Sequence, residues 1–122
     1  MNFFSIIALL LISLHLNAGT IEFKCKYPLY ADEDGVHSAK NFEMVFMIDS
    51  ITKKAMMKGN NGLDEINVLK LDNEGISLLS IGGTGLIFTT AIDSNLKSVH
   101  SRNSIIGGKL LPSQYYGICK KQ

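Results

Sequence analysis

Beyond residue 18 the sequence contains no stretch that keeps a 3.6-residue apolar period over three turns, which argues against a helical bundle or an alternating α/β architecture. Charge of one sign is also missing. Twelve Lys and Arg offset eleven Asp and Glu, and the formal net charge of +1 is spread through the chain without a basic stripe. That balance argues against nucleic acid or an anionic membrane surface as the partner. Only two cysteines occur, with no CxxC pair and no second cluster, so the pattern offers neither a thiol redox site nor a zinc site.

Catalytic signatures are equally sparse. No nucleophile-elbow pattern is present, and His37 and His100 are the only histidines after residue 18. Ser101 adjoins His100, but neighbours along a strand point to opposite faces and cannot form a nucleophile–base hydrogen bond. Gly82-Gly83-Thr84-Gly85 superficially matches a phosphate-cradling loop. Such a loop needs a helix behind it, and here strand-like Leu86-Ile87-Phe88-Thr89-Thr90 follows, which indicates a hairpin turn. Asp32-Glu33-Asp34-Gly35 lacks the alternate oxygen ligands and distal Glu of a calcium loop and reads as a solvated acidic loop. These absences point away from an enzyme, a resident metal and a cofactor.

The N-terminus carries the one long apolar run. Phe3 to Leu16 is interrupted only by Ser5, Ser13 and His15, and Asn17-Ala18-Gly19 follows. This is the pattern of a secretory signal peptide over residues 1–18, leaving 19–122 as a single domain. A membrane anchor would need roughly 20 apolar residues and a following Lys or Arg, whereas the chain passes directly into a strand-like pattern. The mature protein is therefore expected in the periplasm or the medium, with no membrane attachment after cleavage.

After the cut, period-two patterning dominates. Ile21, Phe23, Cys25 and Tyr27 alternate with Glu22, Lys24 and Lys26, predicting a half-buried first strand. Residues 28–40 have no period and read as a long loop. Residues 41–49 place Phe42, Met44, Phe46 and Ile48 on one face and Val45 and Met47 on the other, which predicts a strand covered on both sides and a hairpin over 42–59. Strands over 65–71, 76–81, 86–92, 98–106 and 114–119 follow, separated by Asp72-Asn73-Glu74-Gly75, Gly82-Gly83-Thr84-Gly85, Asp93-Ser94-Asn95 and Gly107-Gly108. The fold class is all-β: about eight short strands in one antiparallel meander, forming a barrel or closed sandwich.

Cys25 and Cys119 lie in the first and last of these strands. An exported chain with two cysteines has one possible intramolecular pairing, and closing a loop of more than ninety residues stabilises by about 4–5 kcal/mol on the chain-entropy model. The bridge predicts that the first and last strands are neighbours, which removes both exposed edges.

For binding, the C-terminal arm stands out. His100 and Arg102 share a face by strand parity, as do Gln114 and Tyr116, and Tyr115 goes inward with Cys119. His100, Arg102, Gln114 and Tyr116 are thus expected on one outward face, with the Arg and Tyr composition typical of interface hot spots. The alternative is ordinary cross-strand pairs on a solvated sheet. Met44, Met47, Met56 and Met57 in the hairpin serve a core or, if uncovered, a weak dimer contact.

The layout of a signal peptide, Cys25 in the first strand, a meander of short strands and Cys119 in the last resembles the small periplasmic β-barrel proteins of Gram-negative bacteria, a format that includes the C-type lysozyme inhibitors. The resemblance spans the mature chain in layout. Tryptophan and a Ser-Gly-x-x-Tyr type of loop are missing, since the Gly-rich turn runs into Leu86 and Ile87, and no inhibitory residue transfers. Val99-His100-Ser101-Arg102 and Pro112-Ser113-Gln114-Tyr115-Tyr116-Gly117 also resemble the signature of an uncharacterised secreted bacterial family. The function expected is a binding or inhibitory module for a protein or cell-envelope partner, with a small hydrolase or a structural envelope component as alternatives.

Export predicts cleavage near Ala18. Intact-mass measurement on protein recovered from the periplasm or medium should find the chain shortened by its first 18 residues or so; a full-length species held in the membrane would contradict it.

Overall fold

The period-two segments do fold as strands. The computed structural model describes residues 19–59, 62–82 and 85–122. Residues 1–18, read above as a signal peptide, lie outside the described residues, as do Asn60, Asn61, Gly83 and Thr84. Nine strands follow in order: β1 (Thr20–Asp32), β2 (Gly35–Ser38), β3 (Glu43–Asp49), β4 (Lys54–Gly59), β5 (Gly62–Asp72), β6 (Gly75–Ile81), β7 (Ile87–Asp93), β8 (Lys97–Ile106) and β9 (Lys109–Lys121). All pairings are antiparallel, and β1 pairs with both β3 and β9. Eight strands therefore close into an up-and-down barrel with the first and last adjacent, and β2 is an extra strand on the distal half of β1.

Alternation puts the core inside the ring. Phe23, Cys25 and Tyr27 of β1, Met44, Phe46 and Ile48 of β3, Ala55 and Met57 of β4, Ile66 of β5, Ile76 and Leu78 of β6, and Ile92 of β7 are all buried. Burying a side chain such as Phe46 or Ile48, each fully enclosed, contributes about 1.5–3 kcal/mol. Small or polar inward residues, Ser80, Thr90 and Ser98, make room for the large ones, as a narrow barrel requires.

Cys25 and Cys119 are direct cross-strand partners in the β1–β9 ladder, with Cα atoms 3.9 Å apart, and their sulfurs are bonded. The expected disulfide and the expected closure are thus one feature.

Two expectations need correction. Residues 28–40 are not a loop: β1 continues to Asp32, turns at Glu33-Asp34 and returns as β2. Pro28 sits where β1 changes partner from β3 to β2, and the β1–β9 register shifts between Lys26 and Leu29. A bulge tolerates a residue with no N–H, so the proline marks a bend in the strand and not its end. The acidic run is the hairpin turn, in which Asp32 Oδ1 accepts the Asp34 amide at 2.9 Å and Gly35 supplies φ 122°. Nor is β3 covered on both faces. Val45 and Met47 are half-buried on the outer wall, and among the described residues no second layer lies over them. Met44 and Met57 are core, while Met47 and Met56 pair across the outside.

Turn chemistry divides the two ends of the barrel. The connections after β3, β5 and β7 share one end, and in each an aspartate side chain accepts a backbone amide two residues on: Asp49 from Ile51, Asp72 from Glu74 and Asp93 from Asn95, all at 2.9 Å. At the other end β8 and β9 are joined by Gly107-Gly108, with φ of 59° and 78°, the conformation of a two-residue hairpin turn.

Gly117 of β9 is fixed by the bulge. A Cβ there would collide with the Lys26 carbonyl oxygen and meet Tyr27 Cδ1 at 2.8 Å, whereas one on Gly59 would meet only Met44 Cε at 3.8 Å. Gly117→Ala should therefore destabilise by about 2–4 kcal/mol and Gly59→Ala by less than about 1. Denaturant melts of the two variants check this; equal losses would mean that the bulge relaxes freely.

Candidate functional site

The β8–β9 register decides where the C-terminal residues point. Ile106 pairs with Lys109 across the two-glycine turn, and counting back gives His100 opposite Tyr115, Arg102 opposite Ser113, Ser101 opposite Gln114 and Val99 opposite Tyr116. Opposed residues share a face. His100 and Arg102 therefore lie on the inner face with Tyr115, while Gln114 and Tyr116 lie on the outer wall. The expectation of one outward face for all four is corrected: the sheet separates them into two pairs. His100 is 1% exposed.

On the outer wall the Tyr116 hydroxyl donates to Gln114 Oε1 at 2.7 Å. Tyr116 borders a shallow groove with Ala91, Val99 and Ile118. Leu29 of β1 pairs beside Tyr116, which extends the apolar surface across the closure.

On the inside, His100 belongs to a set of rings. Its ring stacks on Phe88 at 5.5 Å between centroids, and the Arg102 guanidinium lies 5.3 Å from the centre of that Phe88 ring. Phe42 stacks on Tyr115 at 4.3 Å, Tyr115 stacks on Tyr30 at 5.3 Å, and Tyr30 lies 5.0 Å from His37. Among the described residues every buried side-chain polar atom has a partner. Tyr27 Oη lies 2.8 Å from Ser98 Oγ, and Thr90 Oγ1 lies 2.7 Å from His100 Nδ1. Burial pushes the Tyr27 hydroxyl up to about 12 against the opposing effect of Ser98.

At the end with the two-glycine turn these rings border an opening. A cavity of about 250 Å³ is lined by Phe42, Met44, Met57, Gly59, Gly62, Asp64, Phe88, His100 and Arg102. Phe42 precedes β3 and Met44 lies in it, Met57 and Gly59 end β4, Gly62 and Asp64 start β5, and Phe88 and Arg102 come from β7 and β8, so the site is assembled from five strands and their approaches. Sequence reasoning singled out His100 and Arg102 and missed Phe42, Met57, Asp64 and Phe88 as their neighbours. One signal was present: a two-residue turn at Gly107-Gly108 fixes the register and sets His100 beside the inward Tyr115. Among the described residues no group of three His, Cys, Asp or Glu is arranged to hold a metal.

No protein-family model, no curated protein and no solved structure matches the chain.

His100 carries a pH signature. Burial, and secondly the nearby Arg102 charge, lower its pKa from 6.5 to about 4. In the unfolded chain it protonates at its ordinary value, so between these limits the unfolded state binds more protons and stability rises with pH. The loss on acidification is complete only below about pH 4 and amounts to about 3 kcal/mol. Asp32, lowered chiefly by its hydrogen bond from His37, and Asp49, lowered by the Ile51 amide, lose their contributions as pH falls through their depressed values, below that window. Urea midpoints measured from pH 7 to pH 4 should fall in the wild type, and His100→Gln should flatten the slope; an unchanged slope would assign the acid sensitivity elsewhere.

Proposed function

We propose that the chain is an exported, non-enzymatic binding module, acting in the periplasm or outside the cell, that meets a protein or cell-envelope partner through the end of its barrel opposite the aspartate-capped turns. The distribution of exposed apolar side chains carries this reading. Val36, Leu63, Ile81, Ile87, Ile105, Ile106, Leu110 and Leu111 are all exposed and all belong to that end by strand direction and register. Scattered exposed aliphatics, here Ile51, Leu69 and Ile118, are ordinary, but the gathering of eight at one end of a small domain is a recognised mark of a contact surface.

The tip of the β8–β9 hairpin is the centre of this surface. β7 pairs with β8 only as far as Asn103, and β1 pairs with β9 only from Gln114 onward, so residues 104–113 extend past both neighbours. Four aliphatics flank the Gly107-Gly108 turn there, and the outer strip continues down β9 through Gln114 and Tyr116. Export is supported by the apolar run at Phe3 to Leu16 together with the Cys25–Cys119 bridge, which persists in oxidising compartments.

A photo-crosslinking residue placed at Leu110, compared with one at Ile51 on the opposite end, tests the reading in the exporting cell. Discrete heavier adducts are expected from position 110 and not from 51. Equal labelling at both positions, or none at 110, would overturn the assignment of this end, and an adduct of twice the chain's mass would make the occupant a second copy.

A further inference from the structure

We infer that the cavity at the barrel mouth is a binding site for a small monocarboxylate with a short apolar body, its carboxylate on Arg102 and its body against Phe42, Met44 and Met57. This deepens the binding reading given above, and its test can fail while crosslinking at the rim succeeds.

Three observations carry it. First, Arg102 has no carboxylate partner among the described residues although Asp64 lines the same cavity, and every other ion pair in the barrel wall or turns involves Lys or His37. A half-buried guanidinium with no carboxylate partner among the described residues is suited to an incoming planar carboxylate, and its position over the Phe88 ring fixes the fork beforehand. Second, the apolar part of the lining is thioether and aromatic, from Met44 and Met57, both buried, and from Phe42 and Phe88, beside Gly59 and Gly62. Such walls favour an apolar body and adapt to its shape.

Third, size and charge restrict the occupant. About 250 Å³ lies below the range of roughly 300–1,000 Å³ typical of drug-sized ligands, so the body is short. Asp64 adds a negative charge to the lining, which penalises a phosphate dianion more than a single carboxylate. The neighbouring His100 ring is held by Thr90 and stacked on Phe88, so the floor of the site is preorganised.

Titration of the exported protein with hexanoate and 3-phenylpropionate, followed by methyl NMR of Met44 and Met57, tests the site. Saturable shifts at both methyls are expected, with hexan-1-ol at least tenfold weaker. Arg102→Gln should weaken hexanoate by tenfold or more, since a charge-assisted hydrogen bond is lost. Asp64→Asn should tighten it, because a like charge is removed; this opposite sign separates a real site from general loss of structure. N-acetyl-leucine, run in parallel, separates a peptide C-terminus from a free acid as the source of the carboxylate, and preference for either supports the site. Equal binding of the alcohol, no response to Arg102→Gln, or no saturable shift at either methyl would overturn it.

Discussion

Everything in this barrel depends on the β1–β9 ladder. An open meander of short strands would expose two edges and a core accessible from the side, whereas pairing the first strand with the last seals both. That contact is also the least local in the chain, and its partners must be brought together at the cost of a long loop. Cys25 and Cys119 sit opposite one another within it, 94 residues apart in sequence, so the covalent bond falls where the entropic cost of closure is greatest. The bulge at Tyr27-Pro28 lies in the same ladder and lets β1 leave β3, take on β2 and still follow β9 past the ring. Gly117 opposite the bulge is part of the same device: only a residue without Cβ admits the displaced Lys26 carbonyl.

Closure has a consequence for polarity inside. A narrow eight-stranded barrel leaves the inward positions of its middle layers no route to bulk water, so each polar group there must find its partner across the lumen or along the wall. Tyr27 with Ser98 and Thr90 with His100 do so, and both pairs join a β1 or β7 residue to β8. The His100 ring is then neutral by enclosure, stacked on Phe88 and tilted against Phe42 and Tyr115. Such a ring serves first as wall material. Its neighbour Arg102, two residues nearer the mouth on the same face, cannot be enclosed in that way, because guanidinium does not neutralise. The cavity opens where the lining changes from neutral His100 to charged Arg102.

Much of this was legible in the residues. Alternation at Phe23-Cys25-Tyr27, aspartate and glycine turns, and the two cysteines sufficed for an all-β closed meander, because each signal is local or, for the cysteines, unique in its pairing. Residues 28–40 were not legible, since proline and an acidic cluster are statistical breakers, and a bulge with a two-residue turn uses both within a continuous strand pair. The error at His100 was of another kind. Polarity suggested an outward side chain, while register, fixed by the Gly107-Gly108 turn, demanded an inward one, and register won because a slip by one residue would have expelled Tyr115 and Cys119 from the core. The cavity itself joins β3, β4, β5, β7 and β8, and no pattern along the chain could have joined Phe42 and Asp64 to Arg102 before the barrel did.

The two ends of the barrel follow from different turn chemistries, and this difference connects fold to function. Aspartate-capped turns satisfy their own amides and end the strands sharply at Asp49, Asp72 and Asp93, where Ile51 is a single exposed aliphatic. At the opposite end glycine turns allow strands to overrun the ring, and among the described residues no strand pairs with the outer edges of residues 104–113. A strand pair with no lateral partners gains nothing from aliphatic side chains in isolation, since Ile105, Ile106 and Leu110 remain mostly exposed. Folding energy therefore does not account for isoleucine and leucine at these positions. On the function proposed above a partner buries that surface, which borders a half-buried guanidinium with no carboxylate partner among the described residues, in a cavity lined partly by Phe42, Met44, Met57 and Phe88.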